Sequence, residues 1–420
     1  MRTRDATGFR PETLTVSHGY DPASAMGAAK PPLYLTSTYV YPSAQAAKDV
    51  HRAFFDGDGP QAGAEGTYIY SRLGHPNLDM LERRLSALDN SQDAAGFCSG
   101  MAAVATILMA HLHPGDSVLQ SLPMYSGADA LLNSVFERFG ARAFAFNDGL
   151  DEAAIKAVAV RALATGPLRL IWIESPANPT GALVDIALVG SIADAVAKRQ
   201  GFRPILAVDN TFLGPLLQSP LTIGADLCMT SLTKYCGGHS DLIAGGVSGR
   251  HELIAPLKAL RTLLGNHMDP HTAWLLLRSL ETLHVRTERA CANAAAIAGF
   301  LETHPKVGGV VFTGLAKAGA PQRELMDRQS RGAGSTFSFH IRGGEAEAFR
   351  FLDALKLLRL AVSLGGTETL ICHSASTTHY AVAAERLADS GVNAGTLRLS
   401  VGIEHVDDLI DDLAQALETV

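Results

Sequence analysis

The sequence predicts an α/β fold: a large domain on a mixed, mainly parallel sheet, followed by a smaller C-terminal α/β domain. From about residue 73 to 270, short apolar segments alternate with helical patterns, which is typical of βαβ units. At 420 residues, with 47% apolar and 18% charged residues, the chain is long enough for two domains. The predicted strands of the larger domain are 117–120, 143–146, 168–173, 205–208 and 227–230.

Two further segments flank this domain. Residues 1–72 are rich in Gly, Pro and Tyr and show little helical periodicity, so we expect an extended arm that lies on a neighbouring subunit. Residues 271–420 form the expected smaller domain, which begins with one long helical stretch from His271 to Glu302. Strands are then expected near 334–341, 370–373 and 395–401, with helices between them.

Composition excludes several classes of protein. The net charge of −7 and a pI near 6.1 argue against a nucleic-acid-binding surface. The longest apolar run, 102–112, is too short to span a membrane, and the polar N-terminal residues do not resemble a secretory signal. The five cysteines lack CxxC spacing, so we expect no disulfide framework, no metal site and a cytoplasmic location.

Lys234 and Asp209 suggest a specific chemistry. Lys234 follows Ser231 and Thr233, and Asp209 ends an apolar strand upstream. An aldehyde cofactor such as pyridoxal 5′-phosphate (PLP) needs an amine for a Schiff base and an anion beside its pyridine nitrogen. Glu174, Asp209 and Ser231 all follow predicted strands, and ligands of parallel sheets bind at the carboxyl ends of strands. We therefore expect these groups to share one site.

Other motifs have residue types that suit the same ligand. Ser99, Gly100 and Met101 stand between a short strand and an apolar helix, where free N–H groups favour a phosphate. Arg398 interrupts an apolar strand, and a substrate carboxylate is its natural bidentate partner. The remaining candidates are Tyr70 and Arg72, Tyr125, Asn178 in a loop with two prolines, and Ser363 in a glycine-containing loop.

With these motifs in this order, the chain resembles the Cys/Met-metabolism family of PLP enzymes, from about Thr15 to Glu404. The family includes cystathionine γ-synthases, cystathionine lyases, methionine γ-lyases and homoserine-ester sulfhydrylases. The resemblance implies the fold of type I PLP-dependent transferases, which is like that of aspartate aminotransferase. It also implies a homotetramer, a dimer of dimers whose active sites are shared.

The resemblance assigns a role to each candidate. It implies that Lys234 carries the cofactor and moves the α-proton, that Asp209 holds the pyridine nitrogen, and that Tyr125 stacks on the ring. Arg398, with Ser363, would anchor the substrate carboxylate, beside Asn178 and Tyr125. The phosphate ligands would be Ser99, Gly100, Met101, Ser231 and Thr233, with Tyr70 and Arg72 of a neighbouring subunit, while Asn178 would bind the cofactor's 3-hydroxyl.

The expected reaction is γ-elimination on an L-amino acid with a γ leaving group, such as methionine, homocysteine, cystathionine, a homoserine ester or a canavanine-like compound. The alternatives are γ-replacement, as in cystathionine γ-synthase or O-acylhomoserine sulfhydrylase, and then β-elimination. Gly127 stands where methionine γ-lyases typically carry a cysteine, and Val362 where cystathionine-handling members commonly have a glutamate. His75 also departs from the family pattern, and 375–379 resembles sulfhydrylases more than lyases. A non-catalytic binding protein and a nicotinamide oxidoreductase fit the same residues less well.

Overall fold

The computed structural model describes residues 8–56, 68–380 and 391–420, and its larger sheet has seven strands. They are β1 (Asp93–Phe97), β2 (Ser117–Ser121), β3 (Arg142–Phe146), β4 (Leu168–Glu174), β5 (Ile205–Asp209), β6 (Leu227–Thr230) and β7 (Gly245–Gly249). The strand order is β1-β7-β6-β5-β4-β2-β3. The pairs among β2 to β6 are parallel, whereas β7 runs antiparallel to both of its neighbours.

Helices cover both faces of this sheet, because its central strands are apolar on both sides. In β4, Ile171, Trp172 and Ile173 are all fully buried. Ile171 and Ile173 pack with α6 (Glu152–Thr165) and α7 (Ile186–Gln200) on one face. Trp172 packs with α4 (Gly100–His111) and α9 (His251–Leu264) on the other face. The larger domain also contains α3 (Pro76–Leu88), α5 (Ser126–Ala130) and α8 (Gly214–Leu217).

A second sheet of five strands lies in the C-terminal part, in the order β10-β11-β12-β9-β8. Its strands are β8 (Val307–Val311), β9 (Thr336–Ile341), β10 (Arg359–Leu360), β11 (Leu370–His373) and β12 (Thr396–Ser400). Apolar side chains of this sheet pack against α11 (Leu283–Thr303), α13 (Glu345–Ala354) and α14 (Val406–Leu417), and α12 (Pro321–Gln329) precedes β9. This α/β arrangement confirms the predicted fold class.

Most predicted strands are present with ends displaced by one or two residues, but β7, β8 and β10 were not predicted. The long helix expected over 271–302 is two helices, α10 (Pro270–Leu280) and α11, separated by Glu281 and Thr282. The break has a packing reason. The apolar face of α10 belongs to the core around Leu81, whereas Ile297 and Leu301 of α11 pack on the second sheet.

The N-terminal segment is not extended throughout. It contains α1 (Pro11–Ser17) and α2 (Ala44–Asp56), and the backbone between residues 29 and 43 is largely irregular. Residues 1–7 and 57–67 of the expected arm lie outside the described residues. The domain boundaries at 72/73 and 270/271 stay predictions. Within the described ranges, no helix has both the length and the apolar character needed to cross a bilayer.

Candidate active site

The carboxyl ends of three adjacent strands bring the candidate residues together. Glu174 at the end of β4 is in register with Asp209 at the end of β5, and Asp209 is in register with Met229 of β6. Ser231 follows β6 directly, and its backbone N–H donates to Thr211 Oγ1 over 2.9 Å. The parallel order therefore collects acidic and hydroxyl groups at one edge of the sheet, as the sequence predicts.

Lys234 lies in the turn that follows β6 and reaches across to the C-terminal part of the chain. Its Nζ donates to Ser363 Oγ over 2.7 Å. Burial and, secondarily, the positive charge of Arg398 lower the pKa of Lys234 from 10.5 to about 8. An appreciable fraction of the amine is therefore neutral near neutral pH, as a nucleophile or a proton acceptor requires.

Arg398 in β12 connects Lys234's surroundings to the larger sheet. It is 3% exposed, and it donates from Nη1 to Asn178 Oδ1 (3.0 Å) and from Nη2 to the Ser363 carbonyl (2.8 Å). Ser363 adopts a left-handed backbone conformation (φ 88°), which turns its carbonyl to Arg398 while its hydroxyl faces Lys234. Among the described residues, Arg398 Nε has no hydrogen-bond partner. A buried donor in this state is a natural contact for a substrate carboxylate.

Asp209 and Glu174 place two carboxyl groups side by side in the interior. Burial raises the pKa of Asp209, and burial together with the neighbouring Asp209 raises the pKa of Glu174 well above its usual range. Asp209 Oδ1 accepts from the Thr211 backbone N–H over 3.0 Å, and no cationic side chain of the described residues pairs with it. A buried carboxyl without a counter-ion suits a ligand that supplies a cation, such as a protonated pyridine nitrogen.

The start of α4 has the features of a phosphate cradle. Ser99 caps the helix by accepting the Ala102 N–H (3.0 Å), and Gly100 follows at the first helical position. A Cβ at Gly100 would lie 3.0 Å from Ser231 Oγ, so the glycine keeps the backbone open beside this hydroxyl. Thr233 Oγ1, in contrast, already donates to the Ala244 carbonyl over 3.1 Å. Ser231 is therefore the freer hydroxyl of the two, and the site fits a phosphate group.

Tyr125 precedes α5 and is 43% exposed. Its ring lies over Gly127: a Cβ there would come within 2.6 Å of Tyr125 Cε1 and 3.2 Å of Met101 Sδ. Tyr125, Gly127 and Met101 thus form one packed group at the start of α4. The missing side chain at Gly127 allows the ring to take this position.

Tyr70 and Arg72 have their contacts elsewhere. Arg72 is exposed, donates from Nη1 to the Thr262 carbonyl (2.7 Å), and stacks 5.8 Å from the centroid of the Tyr70 ring. Tyr70 is itself 41% exposed. Within one chain the structure does not join this pair to Lys234 or Asp209 through any hydrogen bond of the described residues. An aromatic ring and a guanidinium presented to solvent are available to a neighbouring molecule.

Two site residues received no role from the sequence. Glu174 lies at the end of a predicted strand, and the structure shows that its side chain accepts the backbone N–H groups of Tyr125 and Asn178. His379 is 2% exposed, and burial together with the charge of Arg398 lowers its pKa to about 4. Its Nδ1 lies 2.8 Å from Thr378 Oγ1, and the Asn178 backbone is a second polar neighbour of the ring. The sequence signal for Glu174 was its position one strand away from Asp209; His379 had none beyond its motif.

Within the described ranges, no group of three or more His, Cys, Asp or Glu side chains is arranged to hold a metal ion. The geometry instead combines an amine of lowered pKa, a buried carboxyl without a counter-ion, a helix start with a hydroxyl beside it, and a buried arginine. These are the groups that PLP and an amino-acid substrate need: an amine to react with the aldehyde, a carboxyl group for the pyridine nitrogen, a site for the phosphate, and a cation for the substrate carboxylate. The residues present therefore fit the cofactor.

Comparisons with known proteins agree with this fit. Residues 12–418 match the family described as Cys/Met metabolism PLP-dependent enzyme. The chain is 38% identical over 411 residues to an L-methionine gamma-lyase of Pseudomonas deceptionensis, covering 97% of both chains. It is 35% identical over 416 residues to an O-succinylhomoserine sulfhydrylase of Pseudomonas aeruginosa, covering 98% of this chain and 96% of that protein.

A solved structure gives the same result. The cystathionine gamma synthase of Xanthomonas oryzae pv. oryzae, in complex with aminoacrylate and cysteine, superimposes with a TM-score of 0.86 at 36% identity, covering 98% of each chain. The match thus spans both sheets and includes the elements that carry Lys234, Asp209 and Arg398. The chain belongs to the Cys/Met-metabolism family of PLP-dependent enzymes.

Proposed function

We propose that this enzyme catalyses γ-elimination on an L-amino acid that bears a γ leaving group, releasing that group together with a 2-oxo acid and ammonia. The observation that carries the proposal is the position of Lys234, whose amine has a pKa of about 8 and lies 2.7 Å from Ser363 Oγ. When bound, PLP supplies an electron sink for negative charge at the substrate's α-carbon. The protein's part is to bind, to orient and to move protons.

Each proposed role follows from a contact. Arg398 would bind the α-carboxylate, since its Nε is a buried donor without a protein partner. Asn178 Oδ1 is already bonded to Arg398, which leaves Asn178 Nδ2 to face a cofactor hydroxyl. Asp209 would pair with the protonated ring nitrogen, and Ser99, Gly100, Met101, Ser231 and Thr233 would surround the phosphate. Of the last two hydroxyls, Ser231 needs no rearrangement to donate.

Lys234 would transfer protons as both base and acid. In the neutral form its Nζ can take the α-proton, and the resulting ammonium can return a proton to another carbon. Ser363 Oγ, which accepts from Nζ, holds the amine on the Arg398 side of the site. Tyr125, packed on Gly127 and Met101, would stack on the ring and take part in binding the substrate.

The surroundings of Ser363 favour a small, uncharged γ-substituent. The residue just before it is Val362, which is 55% exposed. An apolar side chain therefore stands next to the residue whose hydroxyl binds the Lys234 amine. A valine has no charge to attract the distal ammonium of cystathionine. Methionine, homocysteine and homoserine esters are therefore better candidates than cystathionine. The name of the methionine gamma-lyase relative supports the same choice.

The second candidate is γ-replacement, in which a thiol or sulfide adds to an activated homoserine. Relatives named as a sulfhydrylase and as a cystathionine gamma synthase support it. The turn 374–379 also lies in the site, because the Thr378 carbonyl accepts from Ser126 Oγ over 2.8 Å. β-Elimination is the third candidate, since it needs the same anchor and the same proton acceptor.

We also propose that the enzyme is a homotetramer built from dimers with shared sites, and that it is cytoplasmic. Met26, Leu35 and Val40 in the N-terminal segment are 103%, 74% and 94% exposed, as expected for apolar residues that another subunit covers. Tyr70, whose backbone forms a bridge with Thr38 of this segment, and the nearby Arg72 are exposed as well, and they would then reach the phosphate of a neighbouring subunit's cofactor. The five cysteines are free, in keeping with a reducing compartment.

A panel of γ-substituted amino acids, each with and without an added thiol, tests the reaction. Elimination predicts 2-oxobutanoate and ammonia from methionine or homocysteine when no thiol is present, and Lys234→Ala should abolish both products. Thioether formed from a homoserine ester and a thiol, with no oxo acid in the absence of thiol, would instead establish replacement. If wild-type protein with bound PLP forms neither product from any member of the panel, the proposal fails.

A further inference from the structure

Glu174 makes two backbone contacts that connect separate parts of the site. It is 4% exposed at the end of β4. Its Oε2 accepts the Tyr125 N–H over 2.7 Å, and its Oε1 accepts the Asn178 N–H over 2.6 Å. Tyr125 follows β2 and Asn178 follows β4, so one carboxyl group holds together the loops after two neighbouring strands.

Both partners carry side chains that face the proposed chemistry. The Tyr125 ring packs on Gly127 and Met101, while the Asn178 amide oxygen accepts from Arg398. The backbone of Glu174 is itself held, because its N–H donates to Ser121 Oγ over 3.1 Å. A displacement of this carboxyl group would therefore be passed to the ring on one side and to the carboxylate anchor on the other.

The chemistry of the position requires two acceptor oxygens. A glutamine of the same size offers one acceptor and one NH2 donor, so it can satisfy only one of the two N–H groups. The charged groups that face Glu174 are Asp209, in register with it on β5, and Arg398 on β12. Two carboxyl groups side by side in the interior repel each other when both are ionised, so their juxtaposition needs a compensating gain.

We propose that Glu174 is a positioning residue, whose carboxyl group fixes the Tyr125 and Asn178 backbones so that the ring and the amide keep their places around the cofactor. This inference rests on the proposed function. In this role Glu174 acts through its two backbone partners and does not itself contact the substrate. Its effect should pass mainly through Tyr125, whose exposed ring has fewer other restraints than the buried Asn178 amide.

The test is a double-mutant cycle on the dissociation rate of PLP from the purified holoenzyme, measured without substrate. We compare wild type, Glu174→Gln, Tyr125→Ala and the double variant, and record the induced circular dichroism of the bound cofactor. Glu174→Gln should speed dissociation by roughly tenfold and lower the dichroism, since small misplacements of positioned groups are costly. In the Tyr125→Ala background the same change should have an effect of about twofold or less, because coupled residues are not additive.

Two further variants test whether the effect is specific to the carboxyl group of Glu174. Glu152→Gln, at an exposed glutamate of α6, is the matched control and should leave both readouts unchanged. Glu174→Asp keeps a carboxyl group but is one methylene too short to reach both N–H groups, so it should resemble Glu174→Gln and replaces it if that variant does not fold. Equal effects of Glu174→Gln in the two backgrounds, or wild-type behaviour of Glu174→Asp, would overturn the positioning role.

The two proposals fail separately. If wild-type enzyme turns over no γ-substituted amino acid, the proposed function is lost, but PLP dissociation rates still measure what Glu174 does. Where turnover is found, Glu174→Gln should lower kcat more than it raises KM, because Arg398 keeps its own hydrogen bond to the Ser363 carbonyl. An effect on KM alone would indicate that Glu174 acts on substrate binding and not through Tyr125.

Discussion

The lowered pKa of Lys234 can be measured directly in cofactor-free protein. Small acylating reagents modify only neutral amines, so the pH at which labelling of Lys234 is half-maximal reports its pKa. With a pKa of about 8, roughly a tenth of the amine is neutral at pH 7. At the same pH, a lysine with the ordinary pKa of 10.5 would be neutral in about one molecule in 3,000. The structure therefore predicts that the neutral fraction of Lys234 is larger by roughly 300-fold.

The variant Arg398→Gln removes the cation that contributes to the lowered pKa of Lys234. The pKa of Lys234 should rise in the variant but stay below 10.5, since burial is the larger cause and is unchanged. Arg199→Gln, at an exposed arginine of α7, is the matched control and should leave the pKa of Lys234 where it is. The exposed Lys198 provides an internal reference for reagent concentration on every sample.

Mass spectrometry of the labelled peptides at a series of pH values gives the midpoint for each lysine separately. The lowered pKa of Lys234 also determines the direction in which the stability of the cofactor-free protein changes with pH. Between pH 8 and 10.5 the unfolded chain keeps a proton that the folded chain has lost, so the cofactor-free fold gains stability as pH rises through this window. A wild-type midpoint near 10.5 would refute the argument. A return to 10.5 in Arg398→Gln would show that charge, and not burial, is the main cause.

Three further predictions concern other parts of the molecule. Gly127→Ala should lower kcat/KM several-fold by displacing the Tyr125 ring, whereas Gly299→Ala, at a helical glycine with open space around it, should not; equal activity would contradict the proposed role of Tyr125. Glu82→Gln should lower the free energy of unfolding by about 3–5 kcal/mol, measured by denaturant unfolding, because it leaves the buried Arg261 guanidinium without its carboxylate counter-ion. Arg72→Ala should weaken PLP retention, as the proposed shared site requires, and unchanged PLP affinity would contradict a shared site.

Lys234 and Asp209 could be found from the sequence because local patterns carry them. Apolar runs of four to six residues predict buried strands, and the chemistry of a parallel sheet lies where such strands end. The fold class and the strand-end residues followed from this periodicity. The family resemblance then supplied the expected roles of Ser363 and Tyr125, to which the local pattern gave none, and it agreed with the roles that residue type suggests for Arg398 and the start of the helix after Ser99.

Some elements escaped because their residues carry no local signal. Strand β7 has the sequence Gly-Gly-Val-Ser-Gly, which does not suggest a strand, yet it is buried between β1 and β6. A Cβ at Gly249 would lie 2.8 Å from the Asp226 carbonyl, so close packing demands the glycine. The division of the predicted long helix at Glu281 was equally hidden, because it depends on two separate cores.

The sequence by itself determined which residues carry reactive groups and on which elements they lie. Only the tertiary structure decided which groups touch: Lys234 meets Ser363 across 129 positions of the chain, and Arg398 meets Asn178 across 220. It also revealed Glu174 as the common acceptor of two backbone N–H groups. Periodicity is a local property of the chain, whereas hydrogen-bond partners and pKa values depend on burial and charges that distant segments supply.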